Sequence, residues 1–291
     1  MSNILITGAT GNVGFEVIRH LYQMGTSSRI VAGVRNIEKA KMTFSDFPEL
    51  EYVQFDFEDS STFDNALTGI DRVFLLRPPH ISDADKFFRP LISKIRNNSI
   101  KEIVFLSVQG AEKSKIIPHN KIERLITEFG LNHIFIRPSY FMQNLTTTLI
   151  GDIKTKREIV LPSGQAKFNW IDIENIGEVG AILLEKFGSY KNQAYEITGL
   201  ENLSFAQVTS LINNAIKNPI RYKNVNPLKF FLIKKREGVS HGLIIVMTLL
   251  HFLPRFQKEP RVSGFYEQLT GNKPTDIKTF IYKEKSKFEM Q

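Results

Sequence analysis

The feature that most constrains the fold is a glycine-rich turn near the start of the chain. Residues 4–14 read Ile-Leu-Ile-Thr-Gly-Ala-Thr-Gly-Asn-Val-Gly, and apolar residues then recur at helical spacing as far as Tyr22. Gly8 lets the chain turn sharply off a strand, Gly11 lets a pyrophosphate approach the backbone, and Gly14 lets a helix pack on the strand. The free N–H groups at the start of that helix attract phosphate. The stretch therefore predicts a dinucleotide-binding loop.

The rest of the first 137 residues alternates between strand and helix patterns. The predicted strands are Ile4–Thr7, Arg29–Val34, Tyr52–Phe55, Arg72–Leu76, Glu102–Ser107 and His133–Ile136. The predicted helices are Val13–Tyr22, Ile37–Phe44, Asp83–Asn97 and His119–Phe129. Such alternation predicts an α/β fold of the Rossmann type, with a doubly wound parallel sheet.

Beyond about Tyr140 the alternation weakens and helical patterns predominate. Helices are predicted at Ile173–Lys186, Ser204–Ile216 and Val239–Phe252, and short strands at Asn169–Ile171 and Gln193–Ile197. We expect residues 1–140 to form the nucleotide-binding domain. Residues 141–291 are expected to form a smaller, mainly helical C-terminal lobe packed on it, from which some segments could return to the sheet. The apolar run Gly242–Leu253 is shorter than the ~20 residues of a membrane span and is predicted to be a buried helix.

Composition excludes several classes of site. The 291 residues include no cysteine, so disulfides, thiolate nucleophiles and cysteine zinc sites are excluded. The six histidines show no spacing typical of metal ligands, and no metal is expected. No signal-peptide pattern precedes the first strand, so we expect a cytoplasmic protein. The formal net charge of +8 is scattered, with some excess after Arg221, and is interpreted as aiding solubility and attracting an anionic cofactor.

The end of the second predicted strand indicates which dinucleotide is bound. An NAD-binding protein usually carries Asp or Glu there, and this chain carries Arg35. A carboxylate would repel a 2′-phosphate, whereas a guanidinium pairs with it in a forked geometry. Lys39 could add a second cation, and Arg35 could instead be a solvated turn residue. The missing acidic residue favours NADP(H).

Ligands of such sheets bind at the carboxyl ends of the strands. Besides the three glycines and Arg35, the residues predicted to contact the cofactor are Thr10, Asn12, Val13, Asp56, Phe57, Leu76, Arg77, Ser107, Val108 and His119. Asp56 suits a helix-capping role equally well.

The Gly-x-x-Gly-x-x-Gly spacing resembles the extended or atypical short-chain dehydrogenases. Most members use a Tyr-x-x-x-Lys pair for proton transfer, and no such sequence occurs here. Matching Glu123 to the glutamate that commonly follows the lysine places His119 in the lysine position and Lys115 in the tyrosine position. His119 is therefore the candidate catalytic residue. With a pKa of about 6.5 it could donate a proton, or it could bind the nicotinamide ribose without titrating, or simply begin a helix after Pro118.

Four stretches make the resemblance more specific. They are residues 7–14 with 34–36, residues 118–123, residues 136–144, and residues 195–199 with 269–274. Together they resemble the NmrA-like, atypical short-chain dehydrogenases, a group that includes bacterial NADPH-dependent quinone reductases. The resemblance implies a cleft whose substrate-binding residues are Gln109, Tyr140, Phe141, Asn144 and Trp170. Phe141 suits a packing role equally well.

Two functional hypotheses follow, and a third, more distant one is nucleic-acid binding through the basic C-terminal lobe. In the first, the protein passes hydride from NADPH to a small apolar acceptor such as a quinone, without the Tyr-x-x-x-Lys pair. In the second, it binds NADP(H) as a non-catalytic sensor and reports to a protein partner, as NmrA-type regulators do. The pattern at His119 and at residues 140–144 favours the enzyme. We expect a monomer or homodimer with a small-molecule substrate and with no nucleic-acid or membrane partner.

Overall fold

The computed structural model describes residues 2–115 and 117–289. Its strands are β1 (Asn3–Thr7), β2 (Arg29–Val34), β3 (Glu51–Gln54), β4 (Arg72–Leu76), β5 (Glu102–Leu106), β6 (Asn132–Pro138), β7 (Tyr140–Phe141), β8 (Glu158–Leu161), β9 (Lys167–Ile171), β10 (Gln193–Ile197), β11 (Asn202–Ser204) and β12 (Arg221–Asn224). Its helices are α1 (Asn12–Gln23), α2 (Ile37–Thr43), α3 (Phe63–Leu67), α4 (Ala84–Asn97), α5 (Pro118–Glu128), α6 (Ile150–Lys156), α7 (Ile173–Glu185), α8 (Phe187–Tyr190), α9 (Phe205–Ala215), α10 (Pro227–Arg236), α11 (His241–Phe252), α12 (Phe265–Thr270), α13 (Ile277–Lys283) and α14 (Lys285–Phe288).

A parallel sheet of seven strands forms the centre of the N-terminal part of the molecule. The strand order is β10-β6-β5-β4-β1-β2-β3, and every pairing is parallel. The middle strands are buried on both faces, which is why they read as continuous apolar runs in the sequence. The order reverses beside β1, where ligands of such sheets bind. The predicted Rossmann-type α/β fold is confirmed.

The chain divides into two compact units that are not consecutive in sequence. The first unit contains the residues up to Pro138 together with Ile173–Ile197, and the second contains Ser139–Asp172 and the residues from Thr198 onward. The chain thus leaves the first unit near the predicted boundary at residue 140 and later returns to it. The returning segment supplies α7 and β10, and β10 extends the sheet beside β6.

Helix α7 packs on α1 through two glycines. A Cβ atom placed on Gly177 would lie 2.4 Å from the Cβ of Glu16, and one on Gly180 would lie 2.8 Å from Cγ2 of Val17. Real Cβ atoms do not approach so closely. The two helix backbones can therefore come together only because these positions lack side chains.

The second unit contains more β-structure than the predicted helical lobe. β7, β9 and β11 form one small sheet, and β8 pairs with β12 in parallel. Helices α6, α9, α13 and α14 contribute to its apolar core, in which Trp170, Phe205, Phe230 and Phe280 are buried.

The prediction that Gly242–Leu253 is a buried helix is wrong. α11 buries only Ile244, Met247 and His251, which lie on one face. Five of its other large apolar side chains are about half exposed to solvent: Leu243, Ile245, Val246, Leu249 and Leu250. Within the described ranges, no helix has both the length and the apolar character that crossing a membrane requires.

Candidate active site

The glycine-rich turn has the backbone that a phosphate-binding loop requires. Gly8 has a φ of +58°, a conformation that side chains disfavour, and the N–H of Gly11 donates to the carbonyl of Gly8 at 2.9 Å. A Cβ on Gly14 would lie 2.4 Å from the same carbonyl oxygen. In the described chain no side chain caps α1, whose N-cap is Gly11. The N–H groups of its first turn therefore remain available to an anion.

The end of β4 lies against this loop. Thr7 Oγ1 donates to the Phe74 carbonyl at 3.0 Å and accepts from the Leu76 N–H at 3.1 Å. A Cβ on Gly8 would be 2.7 Å from Cδ1 of Leu76, so the leucine side chain covers the glycine. At the tip of the loop, Thr10, Gly11 and Asn12 are exposed. Val13 is buried, which leaves its backbone N–H as its possible contact with a ligand.

Arg35 lies exposed one residue beyond β2. The next residue, Asn36, caps α2 by accepting the N–H of Lys39 at 2.9 Å. This cap holds the start of the helix next to Arg35, and Lys39 is also exposed. No carboxylate of the described chain lies within ion-pair distance of Arg35. Two cations without a competing acid are the arrangement that suits a phosphate group.

The segment after β3 is a turn. Asp56 Oδ1 accepts the N–H of Glu58 at 3.0 Å, and it is Asp59 that caps the following 3-10 turn through the N–H of Ser61. Phe57 is buried in the apolar core, with its ring 4.9 Å from that of Phe55. The predicted cofactor contact of Phe57 is thus restricted to its backbone, because its ring cannot reach a ligand.

Arg77 and His119 meet at the carboxyl edge of the sheet. Arg77 follows β4, and its Nε donates to Nε2 of His119, in the first turn of α5, at 3.4 Å. The Nη1 of Arg77 donates to the carbonyls of Pro78, Pro79 and Ile81, at 3.0, 3.1 and 2.5 Å. The guanidinium thus holds the loop after β4 in place beside the imidazole.

This environment keeps His119 neutral. Burial, and secondly the charge of Arg77, lower the pKa of His119 to about 3. Because Nε2 accepts from Arg77, the ring proton of the neutral imidazole is assigned to Nδ1. The sequence argument that His119 donates a proton as an imidazolium near neutral pH is therefore not supported. The alternative, a hydrogen bond to a ligand from an imidazole that does not titrate, fits this geometry.

A buried ionic network lies beside the end of β5. Ser107 Oγ donates to Glu123 Oε1 at 2.6 Å, and Arg137 donates to both carboxylate oxygens of Glu123, at 2.9 and 2.7 Å. Arg137 also pairs with Glu112 at 2.9 Å. The Ser107 hydroxyl is therefore engaged within the protein, and its N–H donates to the Ile136 carbonyl at 2.7 Å. The candidate cofactor contacts that remain are the Ser107 carbonyl and the backbone of the partly buried Val108.

Gln109 is also tied to the first unit. Its N–H donates to the Pro138 carbonyl at 2.9 Å, and its Nε2 donates to Glu196 at 3.2 Å. The neighbouring Asn120 donates to the Ala111 carbonyl at 3.1 Å, while its Oδ1 is buried with no hydrogen-bond donor among the described residues. A buried acceptor without a donor is costly, so this atom is a further candidate contact for a ligand.

In the second unit, Tyr140 contacts two of the other predicted substrate residues, Asn144 and Trp170, and the Trp170 ring centroid lies 4.9 Å from that of Tyr140. Its hydroxyl donates to Nε2 of His251 at 3.0 Å, and it also hydrogen-bonds the side chain of Asn144. Burial raises the pKa of Tyr140 above its ordinary value. Phe141 and Asn144 are partly buried. Trp170 is 2% exposed and its indole donates to the Leu203 carbonyl at 2.9 Å, so Trp170 belongs to the core and its predicted substrate contact has no support.

A cavity of about 500 Å³ also lies in the second unit. Its wall includes Lys167, Tyr222, Arg255 and Glu259, and none of the predicted substrate residues. The cavity is therefore separate from the residues around Tyr140.

A sequence profile of the NmrA-like family matches residues 1–250. The chain belongs to the NmrA-like family. The resemblance predicted from the sequence is thereby confirmed.

Relatives of this NmrA-like chain differ in what their names describe. Prestalk A differentiation protein A of Dictyostelium discoideum is 28% identical over 279 residues, which cover 96% of this chain and 91% of that protein. The NAD(P)H azoreductase of Xenophilus azovorans is 30% identical over 223 residues, which cover 75% of this chain and 76% of the azoreductase. The NADPH-dependent quinone oxidoreductase of Escherichia coli, solved with NADPH, superposes with a TM-score of 0.83 at 20% identity, covering 96% of this chain and 98% of its own.

Besides Asn120, sequence reasoning missed two features of this NmrA-like chain. The contact between Arg77 and His119 joins residues 42 positions apart, and no spacing in the sequence signals it. His251 had no assigned role, although its Nδ1 donates to the Met247 carbonyl at 2.7 Å and its Nε2 accepts from Tyr140. A histidine inside a long apolar run was the available signal, because a buried imidazole needs partners.

His251 is expected to make the protein sensitive to acid. Burial lowers its pKa to about 4, below the value of 6.5 in an unfolded chain. The unfolded chain therefore binds more protons below pH 6.5, and the stability contributed by neutral His251 is lost as the pH falls. We expect a loss of about 2 kcal/mol between pH 6.5 and 5 from this residue. Urea unfolding across this range should show a shallower pH dependence for His251→Gln.

The matched control for this measurement is His80→Gln, because His80 is exposed. His80→Gln should retain the pH dependence of the unmodified protein. Equal slopes in the two variants would contradict the assignment to His251.

Proposed function

We propose that the protein is an NADPH-dependent reductase that passes hydride to a small apolar acceptor such as a quinone. The observation that carries the cofactor assignment is the pairing of an uncapped α1 N-terminus with an exposed, unopposed Arg35. The acceptor class is inferred from relatives whose names describe an azoreductase and a quinone oxidoreductase. Azo and quinone compounds are both flat, conjugated and easily reduced.

The residues present fit a phosphorylated dinucleotide. The turn at Gly8 and Gly11 and the first-turn N–H groups of α1 would hold the pyrophosphate, because a side chain at either glycine would narrow this space. Arg35, with Lys39 near it, would hold the 2′-phosphate. Thr10, Asn12 and Leu76 would line the path of the cofactor along the carboxyl edge of the sheet.

When bound, NADPH supplies the hydride, and the protein supplies position and charge. Arg77 fixes the ring of His119 through Nε2, so the Nδ1–H of His119 is held in one orientation to donate a hydrogen bond. We assign His119 a positioning role at the nicotinamide ribose or at the acceptor oxygen. Because His119 stays neutral, the proton that a quinone needs comes from water. A quinone accepts hydride with little acid catalysis, which suits a chain without the Tyr-x-x-x-Lys pair.

The test is to mix the purified protein with NADPH and a panel of quinones, azo dyes and enones while following nicotinamide absorbance. The expected result is acceptor-dependent loss of NADPH with at least one quinone or azo compound. Tight NADPH binding without turnover of any acceptor would refute the reductase assignment while leaving the cofactor site intact.

The pH dependence of this turnover tests the role of His119. Since its pKa lies at about 3, we expect kcat/KM to stay level from pH 6 to 8. An imidazolium acid with an ordinary pKa would instead lose activity as the pH rises through 6.5.

His119→Ala should lower kcat more than it weakens NADPH binding, measured by fluorescence titration, and should leave the pH profile level. If kcat/KM of the unmodified protein falls as the pH rises, and His119→Ala removes that fall, His119 is a proton donor after all.

The neutral state of His119 also favours a second candidate. Without a titrating proton donor, the protein would act as an NADP(H) sensor that reports to a protein partner. A relative named for cell differentiation rather than for an activity is consistent with this. A sensor requires a large difference between the affinities for NADP⁺ and NADPH and no acceptor turnover, and calorimetric titration with both forms separates it from the reductase.

A further inference from the structure

The outward face of α11 and the turn after it form a continuous apolar surface. Its members are large side chains exposed by 45 to 73%, and we call them the α11 face: Leu243, Ile245, Val246, Leu249, Leu250, Leu253 and Phe256. Between Gly242 and Leu253 the only ionisable residue is His251, which is buried. Scattered exposed leucines are ordinary, but a contiguous face of this kind marks an interaction surface.

The neighbouring helix α10 carries positive charge beside exposed leucines. Leu228 and Leu232 are 70% and 47% exposed, and the exposed residues Lys229, Lys235 and Arg236 fall on the same face at helical spacing. α10 and α11 pack against each other within the second unit. Apolar and cationic side chains are therefore interleaved on one helical hairpin.

Charge is concentrated in this region of the sequence. Residues 221–258 contain eight Lys or Arg and one Glu, a net +7 out of the formal +8 of the whole chain. Lys234 is the buried exception, and it pairs with Asp152 and Glu237. The exposed Arg255 lies over the ring of Phe252 at 5.3 Å, next to the α11 face. The partner of this surface must therefore be apolar in its centre and anionic around it.

We propose that the α10–α11 hairpin docks the protein on an anionic lipid surface, with the α11 face in the interface and the lysines and arginines at the headgroups. A helix that lies in the plane of a membrane does not need the length of a span, so the finding that no described helix could cross a membrane is no obstacle. The proposal replaces the sequence-based expectation of no membrane partner. Long basic side chains extend to the headgroup level while their stems cover apolar surface.

The positive charge of this surface and the exposure of α11 argue against two other partners, a second copy of the chain and an acidic protein. A second copy of the chain would bring two surfaces of the same positive charge together, which opposes a symmetric dimer through this face. An acidic protein partner would need a groove that fits a helix exposed on most of its circumference. A bilayer deforms around such a helix, and anionic lipids supply the complementary charge.

The test is flotation of the full-length protein with vesicles of phosphatidylcholine alone or with added phosphatidylserine. We expect binding to the anionic vesicles that weakens as salt is raised, and weaker binding to neutral vesicles. The double variant Val246→Asp/Leu250→Asp should reduce vesicle affinity at least about tenfold. The triple variant Lys229→Glu/Lys235→Glu/Arg236→Glu should bind anionic vesicles more weakly, by at least about fivefold in affinity for each residue replaced. Its affinity for neutral vesicles should not change.

Matched controls place the same changes elsewhere on the surface. Met24→Asp/Met42→Asp adds two acids at exposed methionines of the first unit, and Lys101→Glu/Lys186→Glu/Lys191→Glu reverses three exposed lysines there. Both controls should float like the unmodified protein, and thermal unfolding verifies that each variant is folded.

Three results would overturn the proposal. One is a protein that fails to float with anionic vesicles. Another is a dimer of the unmodified protein, detected by sedimentation velocity, that becomes monomeric in Val246→Asp/Leu250→Asp, together with a lack of vesicle binding by both proteins. The third is flotation that the control variants lose as fully as the α10–α11 variants.

Discussion

Replacing Arg35 with Glu is expected to weaken NADPH binding by about 100-fold or more while NADH binding stays the same or improves slightly. A guanidinium contact to phosphate contributes about 1.5 to 3 kcal/mol, and a carboxylate at the same place adds repulsion. NADH lacks the 2′-phosphate, and a carboxylate can accept hydrogen bonds from its ribose. Isothermal titration of both cofactors measures the ratio directly.

Arg96→Glu is the control for this experiment, because Arg96 is exposed on α4 and the substitution changes the net charge equally. Both affinities should be almost unchanged in that variant. If Arg35→Glu keeps the preference for NADPH, the phosphate lies elsewhere and the assignment of Arg35 fails.

Replacing Gly177 with Ala is expected to lower the free energy of unfolding by about 2 to 3 kcal/mol. Elsewhere in a helix this change is neutral or stabilising, because alanine restricts the unfolded chain. Here the new Cβ would lie 2.4 Å from the Cβ and 2.7 Å from the carbonyl carbon of Glu16, and a backbone atom cannot rotate away. The thermal midpoint should fall by about 5 to 10 °C.

Gly188→Ala provides the comparison, since a Cβ at Gly188 would have no atom within 4 Å in the described structure. It should unfold at or slightly above the midpoint of the unmodified protein. Indistinguishable midpoints for the two variants would show that α1 and α7 separate easily.

The middle of the central sheet was predictable because its strands are buried on both faces. β2, β4 and β10 occupy the predicted residues, and each reads as an apolar run or sits between turn residues. β12 could not be predicted, because Arg-Tyr-Lys-Asn has no apolar pattern. Among the described strands, its one partner is β8. The residues of such a segment do not indicate a strand, because it is the pairing with another strand that gives it this conformation.

The candidate site was predictable wherever the backbone dictates function. The glycine turn and Arg35 follow from the positions of Gly8, Gly11 and the second strand. The structure shows the turn and places Arg35 one residue after β2, while their contacts with a cofactor stay predictions. The state of His119 was not predictable, because its lowered pKa depends on burial and on Arg77, which come from the fold. The burial of α11 was predicted wrongly, because hydrophobicity indicates a preference for burial but not whether a neighbouring element is present to provide it.

The return of α7 and β10 to the first unit has a consequence for synthesis of the chain. When Pro138 leaves the ribosome, the nucleotide-binding unit still lacks the strand that borders β6 and the helix that covers α1. An isolated fragment ending there would expose the side of α1 that carries Val17 and the open edge of β6, a surface prone to aggregation. Expression of a fragment that ends at Pro138 should therefore yield aggregated protein. A fragment in which a short linker joins Pro138 to Ile173 would contain α7 and β10 and should be recovered in folded form.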